Sequence, residues 1–225
     1  MKRKTAKYKT NGFEGVVEGA SNKAAVAAAK RVAAGPVDDR LNPLALVGPS
    51  GCGKTRILNA IAAAVASKQD GRTLISTTGE RLLEDYVHAL ENGSVPFFRE
   101  KFKMADILIV DGADSLVRGT HLMVEVLGIF NELIENDRQV VVAVSRPFKE
   151  LKKTNQKLYG RISSGATVKL CHPDEAMKRR YIKKYLSAKR ATLPEATIKS
   201  ILDSPAKSFW EVKGAVCTAL CEKPM

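Results

Sequence analysis

A short glycine-rich segment constrains the fold of this chain more than any other feature. Residues 48–55 read Gly48-Pro49-Ser50-Gly51-Cys52-Gly53-Lys54-Thr55 and match the pattern G-x-x-x-x-G-K-[ST]. The segment follows a short apolar run, residues 44–47, and precedes an alanine-rich stretch, residues 55–67, that is typical of a helix. A strand, a glycine-rich turn and a helix in this order form a phosphate-binding loop, so we expect an α/β nucleotide-binding fold.

The residue types of this loop suit a nucleotide that carries Mg²⁺. The small glycines let successive backbone N–H groups wrap the phosphates, and the Lys54 ammonium reaches the β and γ oxygens. The Thr55 hydroxyl can bind the metal ion. The alternative, a glycine-rich turn with a solvated lysine, does not account for the flanking strand and helix.

The hydrophobic pattern predicts strands that alternate with helices. Strands are predicted at residues 44–47, 74–77, 107–110 and 140–144, of which 107–110 and 140–144 are apolar runs typical of strands buried on both faces; a fifth candidate is 168–170. From residue 174 onward the pattern is wholly helical. We therefore predict a five-stranded parallel sheet between helices in residues 1–172 and a small helical lid in residues 173–225.

Two residues at strand ends are candidates for the chemistry at the phosphates. Asp111 follows the apolar run 107–110, so its carboxylate would lie at the same sheet edge as the loop and hold Mg²⁺ through water. Ser145 ends the next buried strand and could hydrogen-bond the γ-phosphate or the attacking water. Alternatively, Asp111 merely ends a strand. A small-molecule kinase is disfavoured because the sequence shows no acceptor-site constellation.

Composition limits the class of protein and the range of partners. The formal net charge is +13 and the isoelectric point is near 9.7, which favours polyanions such as nucleic acid or nucleotide phosphates. The four cysteines include no C-x-x-C pair, as expected for reduced thiols in the cytoplasm. Because no signal-peptide core and no run of 18 apolar residues is present, we expect a cytoplasmic chain with no membrane partner.

Several segments resemble one family, the AAA+ domain of the bacterial replication initiator DnaA with its short relatives, Hda and the DnaC-type helicase loaders. The similar segments are Phe13-Glu-Gly-Val-Val-Glu-Gly-Ala-Ser-Asn22, Asn42-Pro-Leu44, Phe98-Arg-Glu-Lys-Phe102, Arg146-Pro-Phe-Lys-Glu150 and Leu158-Tyr-Gly-Arg161-Ile162. This resemblance implies an AAA+ P-loop fold that binds ATP and Mg²⁺ and forms ATP-dependent oligomers in replication initiation. A second implied function is an Hda-like or loader-like adaptor that binds other replication proteins.

The resemblance also implies roles for individual residues. Arg161 matches the family's arginine finger, which would contact ATP bound by a neighbouring subunit; the alternative is a solvated cation at a helix end. Val87 and His121 match positions that face single-stranded DNA, and Arg118 could supply the cation that His121 lacks. Arg99, Lys101 and Lys103 add positive charge nearby, which is either a phosphate-binding surface or a solvated basic face.

Departures from the family pattern bear on hydrolysis. Gly112 stands where the family has a second acid after the strand-ending aspartate, and Trp210 stands where it has the sensor-two arginine of the lid. We therefore expect ATP to bind and to be hydrolysed slowly or not at all. The helix-turn-helix domain that follows the AAA+ module in DnaA has no counterpart before Met225, so we expect either an excised domain or a short paralogue.

Overall fold

The computed structural model describes residues 12–118, 120–145, 150, 152–153 and 155–222, without the side chains of residues 117, 118 and 120. Residues 1–11 and most of the 146–150 segment lie outside it. Five strands form one sheet: β1 Leu44–Val47, β2 Leu74–Thr78, β3 Ile107–Asp111, β4 Gln139–Val144 and β5 Ala166–Lys169. The strand order is β2-β3-β4-β1-β5 with every pairing parallel, which confirms the predicted sheet.

The helices pack on both faces of this sheet and beyond its end. Their bounds are α1 Lys23–Ala34, α2 Lys54–Lys68, α3 Gly79–Glu91, α4 Val95–Lys103, α5 Thr120–Glu135, α6 Gln156–Ile162, α7 Glu175–Lys189, α8 Glu195–Asp203 and α9 Phe209–Cys221. Side-chain caps fix several helix starts: the Thr78 hydroxyl accepts from the Arg81 N–H at 3.1 Å, and Ser208 forms a reciprocal capping box with Glu211. Among the described residues, no helix has both the length and the apolar character needed to cross a membrane.

The fifth strand begins two residues before the predicted start at residue 168. β5 pairs with β1 from Leu44 opposite Ala166 to Val47 opposite Lys169. Because β5 is an edge strand, Thr167 and Lys169 are exposed, and the strand lacks the continuous apolar run that marks a central strand. The apolar pattern therefore places its start too late.

Three separate apolar cores hold the part of the chain that the structure describes. One core covers the sheet face under α3, α4, α5 and α6, and a second covers the opposite face under α1 and α2. A third core joins the C-terminal helices α7, α8 and α9 through Ile182, Leu186, Ile198, Ile201, Leu202, Val212 and Val216. The C-terminal helices thus bury an apolar centre of their own, next to the two-faced α/β layer.

Candidate nucleotide-binding site

The glycine-rich loop joins β1 to α2 at the carboxyl edge of the sheet. Gly51 and Gly53 have φ values of +73° and +105°, a backbone region that side chains with a Cβ rarely adopt. At Gly48, a Cβ atom would lie 2.4 Å from the Leu170 carbonyl oxygen, so the loop passes directly against the end of β5. Only glycine allows this turn, and the open backbone is the geometry that cradles phosphate groups.

The Lys54 side chain lies inside the turn rather than in solvent. Its ammonium donates hydrogen bonds to the carbonyl oxygens of Gly48 and Pro49 at 2.8 and 2.9 Å, and only 5% of the residue is exposed. The neighbouring Cys52 is also buried, and this burial raises the pKa of its thiol. The ammonium also donates to Cys52 Sγ at 4.0 Å. A buried cation held by two carbonyl dipoles and a neutral sulfur is well suited to exchange one of them for a phosphate oxygen.

The fold brings together Thr55 and Asp111, which lie far apart in the sequence. The Thr55 hydroxyl donates to Asp111 Oδ2 at 2.6 Å, although β4 separates β1 from β3 in the sheet. Both residues line one cavity beside the loop. A hydroxyl and a carboxylate are hard oxygen ligands, the donor set that Mg²⁺ prefers. The residues present therefore fit the predicted magnesium ion.

Ser145 also reaches this cavity, and an acid fixes its backbone. The residue is exposed immediately after β4, and its N–H donates to Asp114 Oδ1 at 2.9 Å. This hydrogen bond occupies an oxygen of Asp114, the acid three residues beyond Asp111. Asp114 thus orients the turn that carries Ser145.

There is space for a side chain at Gly112, where the family has its second acid. Gly112 has a φ of +65°, and its carbonyl oxygen accepts from the N–H and the hydroxyl of Ser115 at 3.0 and 2.9 Å. A Cβ atom at Gly112 would have one neighbour within 4 Å among the described residues, Glu80 Oε2 at 3.9 Å. The sequence alone did not indicate Glu80, because it belongs to α3 and is far from Gly112 along the chain. The pairing of β2 with β3, in which Thr78 lies opposite Asp111, brings the two residues close together.

The cavity has a volume of about 520 Å³ and lies between the loop, the N-terminal segment and the C-terminal helices. From the C-terminal helices, Tyr181, Lys184, Tyr185, Phe209 and Trp210 line it, and from the N-terminal segment Gly15, Val16 and Val17. The sequence analysis did not assign most of these residues. The available signal was the aromatic pair Tyr181 and Tyr185, which share one face of α7 and have ring centroids 6.2 Å apart.

The start of α9 touches the phosphate loop directly. The Phe209 N–H donates to the Gly51 carbonyl oxygen at 3.0 Å, and the Phe209 ring lies 5.0 Å from the Tyr181 ring. Trp210 lines the cavity but is 73% exposed, so its indole does not pack in the core of the C-terminal helices. The side of the cavity at the α9 start thus offers aromatic surface and backbone groups where the resemblance implies an arginine.

Arg161 lies outside this cavity, in the last turn of α6. Its guanidinium donates to the Asn131 carbonyl oxygen at 3.3 Å, while its Nε is buried without a hydrogen-bond partner among the described residues. The structure therefore does not bring Arg161 to the nucleotide site of its own chain. The geometry leaves part of its hydrogen-bonding capacity unused.

The structure describes the side chains of two of the three predicted DNA-contacting residues. Val87 is 44% exposed on α3 and His121 is exposed on α5, while the Arg118 side chain lies outside the described residues. The three cations nearby are neutralised: Arg99 pairs with Glu125, Lys101 with Asp85 at 2.6 Å, and Lys103 with Glu132. Hydrogen bonds from Arg99 lower the pKa of Glu125, which keeps this pair ionised.

Comparisons with known proteins agree with this architecture. The family described as the bacterial DnaA ATPase domain matches residues 7–169. The chromosomal replication initiator protein DnaA of Thermotoga petrophila is 32% identical over 212 residues, which cover 94% of this chain and 48% of that protein. This chain thus spans about half the length of the curated relatives that it matches.

Solved structures show the same fold. Domain III of DnaA from Thermotoga maritima superposes with a TM-score of 0.86 at 31% identity, covering 93% of this chain and 87% of that one. A replication initiator DnaA bound to AMPPCP and single-stranded DNA superposes with a TM-score of 0.84 over 94% of this chain and 65% of that one. It is 23% identical and shows the fold alone. The family match, the identity over nearly the whole chain and the shared fold establish that this chain belongs to the bacterial DnaA ATPase-domain family.

Proposed function

We propose that this chain is an ATP-binding AAA+ module that acts in DNA replication initiation. The observation that carries the proposal is the contact between Thr55 and Asp111 beside the glycine-rich loop, because it unites a metal-binding hydroxyl and carboxylate with a phosphate cradle. Both the AMPPCP bound by the DnaA structure described above and ATP carry a triphosphate. The proposed ligand is therefore ATP with Mg²⁺.

Each part of the site has a separate task in this proposal. The loop N–H groups and the N-terminus of α2 bind the phosphates, and Lys54 neutralises their charge. Thr55 and Asp111 would hold Mg²⁺, which would neutralise part of the phosphate charge. The cavity wall of Tyr181 and Tyr185 offers an apolar, aromatic surface for the base.

We propose that ATP drives head-to-tail assembly with Arg161 acting on the neighbouring subunit. The support is that Arg161 lies outside the cavity of its own chain, so its guanidinium does not serve the nucleotide bound there. A guanidinium placed against a γ-phosphate stabilises charge only when two subunits close around it.

The assembly proposal predicts that Arg161→Ala abolishes ATP-dependent oligomers. With saturating AMPPCP and Mg²⁺, light scattering should show a mass increase for the unchanged chain and a monomer for Arg161→Ala, with the ATP affinity retained. Lys199→Ala, which removes an exposed cation from α8, should assemble normally and serves as the matched control. Monomers of the unchanged chain, or normal assembly of Arg161→Ala, would contradict this part of the account.

We also propose that hydrolysis is slow, because Gly112 supplies no carboxylate to orient the attacking water. Gly112→Asp should raise ATP turnover by at least about tenfold, since a positioned general base contributes roughly 100-fold or more. Aspartate tolerates the left-handed backbone of this residue, whose φ is +65°. Phosphate release is the measurement. The Gly112→Asn side chain has nearly the same shape as aspartate but carries no carboxylate. Equal ATP turnover in the Asp and Asn variants would therefore refute the missing carboxylate as the cause of slow hydrolysis.

A second candidate function is an adaptor that binds replication proteins. It is favoured by the apolar side chains on α3 and α4, where Leu90 is 53% and Phe97 is 78% exposed, beside cations that are already ion-paired. Capture of purified helicase, clamp or initiator, together with an absence of single-strand binding at any salt concentration, would favour this function over DNA binding.

A further inference from the structure

A stretch of the chain near its middle is strongly unbalanced in charge. Residues 151–173 contain five basic residues and no Asp or Glu. The basic residues are Lys152, Lys153, Lys157, Arg161 and Lys169. These five residues are part of the excess of basic over acidic residues that gives the chain its net charge of +13.

The fold gathers several of these lysines on one side of the sheet. Leu158 and Ile162 of α6 are buried in the core under that face, while Lys157 is exposed. In β5, Ala166 and Val168 pack against the α1 and α2 core, so Lys169 lies on the opposite face, the one that α6 covers.

The segment before α6 lies beside the same helix. The Lys152 ammonium is 5.7 Å from the ring centroid of Tyr159 in α6, which places the next residue, the exposed Lys153, close to this helix. We call Lys153, Lys157 and Lys169 the α6 surface.

The cations of the α6 surface lack ionic partners. Among the described residues, none of the three lysines has a carboxylate within 4.0 Å, in contrast to Arg99, Lys101 and Lys103. Like charges without counter-charges repel one another, and an anionic partner relieves this repulsion.

We propose that the α6 surface binds the phosphodiester backbone of a nucleic acid. The proposal deepens the DNA-binding part of the proposed function and rests on it, but it moves the phosphate contacts from α4 to α6 and β5. A protein partner fits less well, because none of the exposed large apolar side chains in the described residues lies between residues 150 and 170. Lysines act as point charges on phosphates, so binding is independent of sequence.

The test is fluorescence anisotropy with labelled oligothymidylate and with a mixed-sequence duplex of equal length, across a range of salt concentrations. The variant combines Lys153→Ala, Lys157→Ala and Lys169→Ala. Its affinity at about 0.1 M salt should fall by roughly 100-fold, because each of the three phosphate contacts contributes about a fivefold factor there. The salt slope for the single strand should fall by about 2.

A matched variant separates a local effect from net charge. Lys189→Ala, Lys199→Ala and Lys213→Ala remove the same charge from exposed positions of the C-terminal helices and should change affinity and slope little. A selective loss with either probe supports the proposal, and the responding probe identifies a single strand or a duplex as the ligand.

Three results would overturn the proposal. The first is an equal loss of nucleic-acid affinity in both triple variants, and the second is no loss of affinity in the α6-surface variant. The third is a defect in assembly with unchanged nucleic-acid affinity, which would assign the surface to a subunit contact. ATP binding is measured on the same samples. If the unchanged chain binds ATP but binds neither the single strand nor the duplex, only the proposal for the α6 surface is wrong. If the folded chain binds no ATP, the proposed function is wrong.

Discussion

Lys54→Ala should strongly weaken ATP binding while leaving the fold intact. The Lys54 ammonium is the cation held within the phosphate loop, and its partners are the Gly48 and Pro49 carbonyl oxygens. Hydrogen bonds to a charged group contribute about 1.5–3 kcal/mol each, so losing the phosphate contacts should weaken binding by roughly 10- to 100-fold. Isothermal titration calorimetry with ATP and Mg²⁺ measures this change, and circular dichroism checks the fold.

The matched control for this prediction lies on the same helix. Lys68 is exposed in the last turn of α2 and donates to the Ala34 carbonyl oxygen at 2.7 Å, away from the cavity. Lys68→Ala should therefore retain the affinity of the unchanged chain. Unaltered ATP binding by Lys54→Ala would show that the loop does not bind the triphosphate in the proposed manner.

Gly165→Ala should cause a large loss of stability. A Cβ atom at Gly165 would lie 2.4 Å from the Pro43 carbonyl oxygen, 2.6 Å from the Asn42 carbonyl carbon and 2.7 Å from the Pro43 nitrogen. All three are backbone atoms, so relief requires moving β5 away from β1. We expect the free energy of unfolding to fall by about 2–4 kcal/mol, with a melting temperature lower by roughly 5–10 °C.

Gly128 provides the opposite case. It lies inside α5, and a Cβ atom there would have no neighbour within 4 Å among the described residues. Gly128→Ala should therefore stabilise the chain by about 0.5–1 kcal/mol through a higher helix propensity. Thermal unfolding of the two variants side by side tests the register of β5. Equal and small changes in stability would mean that Gly165 does not pack closely against the residues before β1.

The sequence predicts the central fold well because its signals are local. The apolar run of β3 and the loop pattern before Lys54 each lie within a few residues, and a parallel arrangement then places Asp111 and the loop at the same sheet edge. The edge strand β5 is harder to predict, because exposed Thr167 and Lys169 interrupt its apolar pattern.

The remaining parts of the site depend on contacts between distant segments. Tyr181 and Tyr185 line the cavity only because α7 packs beside the loop, and Glu80 approaches Gly112 only through the pairing of β2 with β3. The ion pair between Arg99 and Glu125 likewise joins α4 to α5. No local pattern encodes such pairings, so a basic run in the sequence does not reveal which cations are neutralised.

The most direct test of the central claim uses Trp210, the single tryptophan of the chain, which lines the cavity beside the loop. ATP added with Mg²⁺ should change the intrinsic fluorescence of the folded protein in a saturable way. Removing Mg²⁺ with a chelator should weaken the response, because Thr55 and Asp111 would then lack their shared ion. Calorimetry on the same sample should report about one ATP per chain. An unchanged spectrum together with no heat of binding, in protein whose circular dichroism is that of an α/β fold, would contradict the account.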